Sequence, residues 1–104
     1  MLVSRKKYDQ GDIISFRLVT GDEIIARVSE DNETDFVVER PCTVLPSERG
    51  MGLIQTVMTA DQDRKFALNK NHVVMSGPSI DAMQKHYLKT TTGIEPITRG
   101  SIIT

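Results

Sequence analysis

Ile14-Ser15-Phe16-Arg17-Leu18-Val19-Thr20-Gly21-Asp22-Glu23-Ile24-Ile25-Ala26-Arg27-Val28 is the stretch from which the fold is read. Ile14, Phe16 and Leu18 alternate with Ser15, Arg17 and Val19, the period of two that suits a strand with one buried face. Thr20-Gly21-Asp22-Glu23 then supplies a turn in which Gly21 can take a positive φ. Ile24, Ala26 and Val28 resume the alternation, so the stretch predicts a β-hairpin.

Working outward, the polar cluster at 30–35 makes the next turn, and residues 36–45 are rich in β-formers. Pro41 lies inside that third strand and has no N–H to give to a ladder, which predicts a bulge, a bend or an unpaired edge there. Residues 46–52 read as a loop, 53–60 as a fourth strand and 61–64 as a turn. A short run at 65–68 follows, Asn69-Lys70-Asn71 interrupts it, and 72–76 is the fifth strand, closed by Gly77-Pro78.

Helix signals come only after this point. Ser79 is a candidate N-cap, Asp81 suits a helix N-terminus, and Lys85, His86 and Lys89 lie toward the C-terminal end of a helix over 80–90. Ile80, Met83 and Tyr87 form an apolar stripe, expected to cover an open end of a small barrel. Residues 93–104 show no periodicity and read as a mobile tail, and 1–11 as an N-terminal arm, around a single domain at 12–92. The fold expected is mainly β: five short, strongly bent strands in a partly open barrel with one C-terminal helix.

Composition narrows the function. Thirteen Lys+Arg against fourteen Asp+Glu give a net charge of -1, so a polyanion would be held by a local patch rather than by the overall field. Cys42 is the only cysteine, which excludes an intramolecular disulfide, a multi-thiolate zinc site and a Cys-x-x-Cys redox pair, and suits a cytoplasmic protein. The charges at 5–7 follow a very short apolar run, the reverse of a secretory signal, and no segment approaches membrane-spanning length.

Catalysis finds no support. His72 and His86 fall on different elements, and Cys42 lies within a strand, where it reads as a small buried hydrophobe. Asp31, Glu33 and Asp35 alternate like oxygen ligands, but the central glycine and closing glutamate of a calcium loop are absent, so neither metal nor cofactor is expected. Gly50 and Gly52 precede no strand-to-helix junction and form no phosphate-binding loop.

A family resemblance rests on two segments. A strand, a glycine, a hairpin and an acidic loop leading to an apolar strand make the first Sm motif. Residues 14–38 resemble it, with Gly21 at the glycine and Asp31 at the loop aspartate. A short apolar strand, a tight turn and a final strand make the second, which Leu68-Asn69-Lys70-Asn71-His72-Val73 resembles. The chain thus looks like an Sm-like protein over about 12–76, most similar to small uncharacterised Sm-like proteins of tailed phages and marine microbial samples. It departs from the pattern at three places. Asp35 stands where the family carries its RNA-contacting asparagine, Asn69-Lys70 stands for Arg-Gly, and the helix follows the barrel instead of preceding it.

What the resemblance implies is a homo-oligomeric ring, in which the strand at 53–60 of one subunit pairs with that at 72–76 of the next. Both strands carry long uncharged stretches, whose exposed edges need a partner unless the tail or helix covers them within one subunit. The resemblance also implies single-stranded RNA at the pore, where Asn69 and Lys70 would meet a base and a phosphate, His72 would stack, and Asp35 would take the asparagine's place. Against this, Glu30, Asp31, Glu33 and Asp35 crowd four carboxylates on the facing loop, which equally reads as a solvated turn. Arg5, Lys6 and Lys7 beside Tyr8 offer a second basic surface, near Lys85 and Lys89 if the helix packs there. Two functions stand side by side: a ring-forming RNA-binding protein, or an oligomeric structural or adaptor module with a phage or host protein as partner.

Overall fold

The computed structural model describes residues 6–92 and the backbone of Ser101–Ile102. In chain order the elements are β1 (Ile13–Leu18), β2 (Glu23–Asp31), β3 (Asp35–Ser47), β4 (Gly50–Gln55), β5 (Lys65–Asn69), a 3-10 turn (Lys70–His72), β6 (Val73–Pro78), α1 (Asp81–Thr91) and a two-residue β7 (Ser101–Ile102). Every pairing is antiparallel, in an open sheet of order β6-β1-β2-β3-β4-β7, with β5 also on β3.

The fold is mainly β, with six principal strands rather than five. The additional strand is the run after Arg64. It pairs with Asp35 through Glu39 of β3, while β4 pairs with Cys42 through Ser47 of the same strand. One edge of the 13-residue β3 is therefore covered in two halves. Between the halves lie Arg40 and Pro41, where the β2–β3 register shifts and Arg40 takes a φ of 47°. Pro41, with no N–H to pair, sits at the irregularity its chemistry requires.

Strand four runs over Gly50–Gln55 and stops short of Ala60. Beyond Gln55 the chain turns, with Ala60 N–H bonded to the Val57 carbonyl at 3.2 Å. The Gln62 side-chain amide donates to the carbonyls of Val57 and Ala60, both at 2.8 Å, so a side chain satisfies groups that a ladder would otherwise have used.

Period-two alternation places the two faces of the hairpin in separate cores. Ile14, Phe16, Ile24, Ala26 and Val28 pack with Tyr8, Phe36 and Val38 on one face, joined by Leu18, Phe66, Leu68 and Val73. Their neighbours Ile13 and Ile25 point the other way, with Cys42 and Leu53, into a second core capped by Tyr87, Met83 and Leu88. The helix thus covers the back of the sheet and not an open barrel end. That position buries a second apolar row that would otherwise meet water.

Further corrections follow from this packing. The helix begins at Asp81 with Ile80 at its N-cap, and Ile80 is 70% exposed, outside the apolar stripe. Ser79 does not cap the helix; its hydroxyl is 2.7 Å from that of Ser15 on β1. His72 belongs to the 3-10 turn, so the strand expected at 72–76 runs over Val73–Pro78. Of the expected tail, Ser101–Ile102 pair with Leu53 and Gly52 of β4, and the rest lies outside the described residues, as does the arm before Lys6.

Candidate functional site

Three of the four residues singled out for the pore meet at one end of the sheet. Asp35 and Asn69 are register partners across β3 and β5, and Lys70 follows directly in the 3-10 turn. The Lys70 N–H donates to the Thr34 carbonyl at 2.9 Å, stitching the β2–β3 turn to the β5–β6 turn. Asn69 is spent on its own turn, accepting from Asn71 N–H at 2.8 Å. The Asp35 carboxylate accepts from the Asn32 amide at 2.9 Å. His72 is exposed, and its carbonyl accepts from Val19 N–H at 2.9 Å.

Lys70 is committed inward. Its ammonium donates to Asp31 Oδ1 at 2.6 Å and lies 4.6 Å from the centre of the Phe36 ring. Asp31 is the last residue of β2, and its side chain is 1% exposed. The second carboxylate oxygen accepts the N–H groups of Lys7 at 2.8 Å and Tyr8 at 3.2 Å. Burial acts to raise the Asp31 pKa, but the Lys70 hydrogen bond, the two N–H groups and the ammonium charge outweigh it. The carboxyl is held below its ordinary range.

Asp31 therefore clasps the arm to the domain, a role the acidic-loop reading did not contain. Alternation along Ile24, Ala26 and Val28 would turn Glu30 inward, but the register shift between Val28 and Glu30 inserts one extra residue and turns Asp31 inward instead. Nothing in the residue pattern announces that bulge. Tyr8 is also buried, tilted against Phe36 at 5.9 Å between ring centres, with its hydroxyl 2.7 Å from that of Ser76. It is not free to stack on a base, and the arm docks against β2, β3 and β6.

Beside this clasp a cavity of about 220 Å³ is lined by Lys7, Phe36, Lys70 and residues Val73 through Ser76. Along it runs β6, whose outer edge pairs with no strand among the described residues and carries Val74 and Met75 at 58% and 67% exposure. The outer edge of β5 is likewise unpaired there. Among the described residues no three His, Cys, Asp or Glu side chains gather as metal ligands, and no helix is long and apolar enough to cross a membrane.

Compared with protein-family models and with curated proteins, the chain matches none.

Proposed function

We propose that the protein is a non-enzymatic adaptor of Sm-like build that works by strand addition along its open sheet edges, with copies of itself as the first partner. The observation that carries this reading is the edge of β6, unpaired among the described residues, where Val74 and Met75 stand exposed. An uncharged strand edge with apolar side chains is a template for another strand, and closed assemblies satisfy it. The β4 edge is partly taken by β7, which leaves β5 and β6 as the better candidates for pairing between copies.

The RNA reading has less support. Lys70, the cation it needs, is engaged by a buried carboxylate, and Tyr8 is packed against Phe36. Native mass spectrometry on protein purified without nuclease tests both readings. An oligomer free of nucleic acid is the expected result, with Met75→Lys shifting it to monomer by charging the β6 edge. A monomer at every concentration overturns self-association, and retained RNA restores the pore reading.

A further inference from the structure

The lining of the cavity beside β6 is rich in hydrogen-bond donors. Lys7 brings an ammonium whose side chain makes no hydrogen bond or ion pair among the described residues. Lys70 has three N–H donors, one directed at Asp31, and its partner carboxylate is buried and turned away from solvent. Ser76 adds a hydroxyl, and Phe36, Val73, Val74 and Met75 supply apolar wall. A cavity of about 220 Å³ is several times the ~30 Å³ share of one water, enough for an acidic side chain with solvent around it.

Four consecutive residues of β6 line this cavity, so a chain laid along the edge passes beside it rather than ending at it. We propose that β6 accepts an extended acidic peptide segment of a partner protein as an added strand, with one carboxylate side chain seated between Lys7 and Lys70. The added backbone pairs with the edge, and the carboxylate gives the Lys7 ammonium an acceptor while taking an N–H of Lys70 that is not directed at Asp31.

Charge complementarity separates this occupant from a second copy. The strands a copy could offer read Lys-Phe-Ala-Leu-Asn in β5, Val-Val-Met-Ser-Gly-Pro in β6 and Gly-Met-Gly-Leu-Ile-Gln in β4, with no carboxylate in any of them. A copy thus provides main chain for the edge but nothing for the cavity, and an acidic segment displaces it. The inference rests on the proposed strand addition only for the use of the edge itself.

The test uses two amidated, fluorescein-labelled peptides, Thr-Val-Glu-Val-Thr-Val and the same with Gln for Glu. They are titrated by anisotropy at a dilution where native mass spectrometry shows the full chain as monomer. The Glu peptide is expected to bind about tenfold more tightly, the scale of one charge-assisted hydrogen bond. Lys7→Gln should remove most of that difference, and because the Lys7 side chain is exposed the fold stays intact. Equal affinity for the two peptides, or binding of neither, overturns the proposal, as does displacement of the Glu peptide by a single-stranded oligonucleotide. The same spectra keep the two readings apart. Failure to self-associate at high concentration removes the self-partner alone, while a β6-dependent oligomer with no peptide charge preference removes the acidic segment alone.

Discussion

The Lys70 ammonium donates to the Asp31 carboxylate at 2.6 Å across 39 residues of chain. That one contact ties the 3-10 turn to the end of β2, and through the other carboxylate oxygen it reaches the N–H groups of Lys7 and Tyr8. Phe36, the register partner of Asp31, lies under the ammonium and against both Tyr8 and Phe16. A single buried acid thus coordinates the arm, the hairpin and the turn that carries the chain into β6.

Lys70→Met should therefore act first on stability. It leaves the Asp31 carboxylate buried with two N–H partners but no compensating charge. Removing one partner of a fully buried pair costs ~3–5 kcal/mol. Lys70 is 29% exposed, and the two N–H bonds remain, so a loss of about 2 kcal/mol is expected. Urea unfolding measures it, and an unchanged midpoint would show that the pair contributes nothing.

The acid limb of stability carries the same signature. Asp31 is held below its unfolded pKa, so its contribution is fully present above the ordinary carboxylate value and is lost as pH falls through the folded value. Asp31→Asn should be less stable than the native chain at pH 6, and the gap should narrow as pH is lowered toward 2. Urea midpoints for both chains across that range decide it, and a gap independent of pH would refute the assignment.

Legibility in the sequence followed the regularity of each segment. Ile14, Phe16, Ile24, Ala26 and Val28 were readable because their alternation persists without interruption, and they line one core. Ile13 and Ile25 were not, since burial on both faces erases the contrast between apolar and polar positions. Val57 through Ala60 resemble strand because they are uncharged, yet the β3 edge they would have paired with is irregular at Arg40 and Pro41 and beyond them is taken by β5. At the candidate site, the proximity of Asp35, Asn69 and Lys70 was expected only from the resemblance of two segments to the Sm motifs, not from the residues themselves. The inward turn of Asp31 was not, because it depends on a bulge that no residue type marks.

Cys42 should be inert in the folded chain. Burial pushes its thiol up to about 12, against a weaker opposing effect of the Arg40 charge, so almost no thiolate exists at pH 8. Its modification by a thiol reagent should follow the unfolded fraction across a urea titration. Rapid labelling in buffer would contradict the burial. Because the folded pKa is the higher one, stability from this group is present below its unfolded value and falls as pH rises from about 9 toward 12.

Tyr87 gives the sharpest test of the second core. Its hydroxyl accepts the Arg27 N–H at 3.1 Å and lies within donor reach of the Glu39 and Arg40 carbonyls, at 2.8 and 3.0 Å. Those three backbone groups flank the point where β2 and β3 lose register and Arg40 takes its left-handed conformation. Burial raises the Tyr87 pKa, with the nearby Cys42 adding to the effect, so the neutral hydroxyl is kept to serve both sides. Tyr87→Phe preserves the ring, which is 1% exposed, and removes only these bonds. A loss of about 1–3 kcal/mol is expected, because partly buried backbone groups lose the hydroxyl that bridges them. Tyr8→Phe, which loses a single contact to the Ser76 hydroxyl, is the control and should cost about 1 kcal/mol or less. Thermal unfolding of the two variants measures the difference. Equal losses would mean that the bulge at Arg40 and Pro41 is held by the strands themselves and not by the helix.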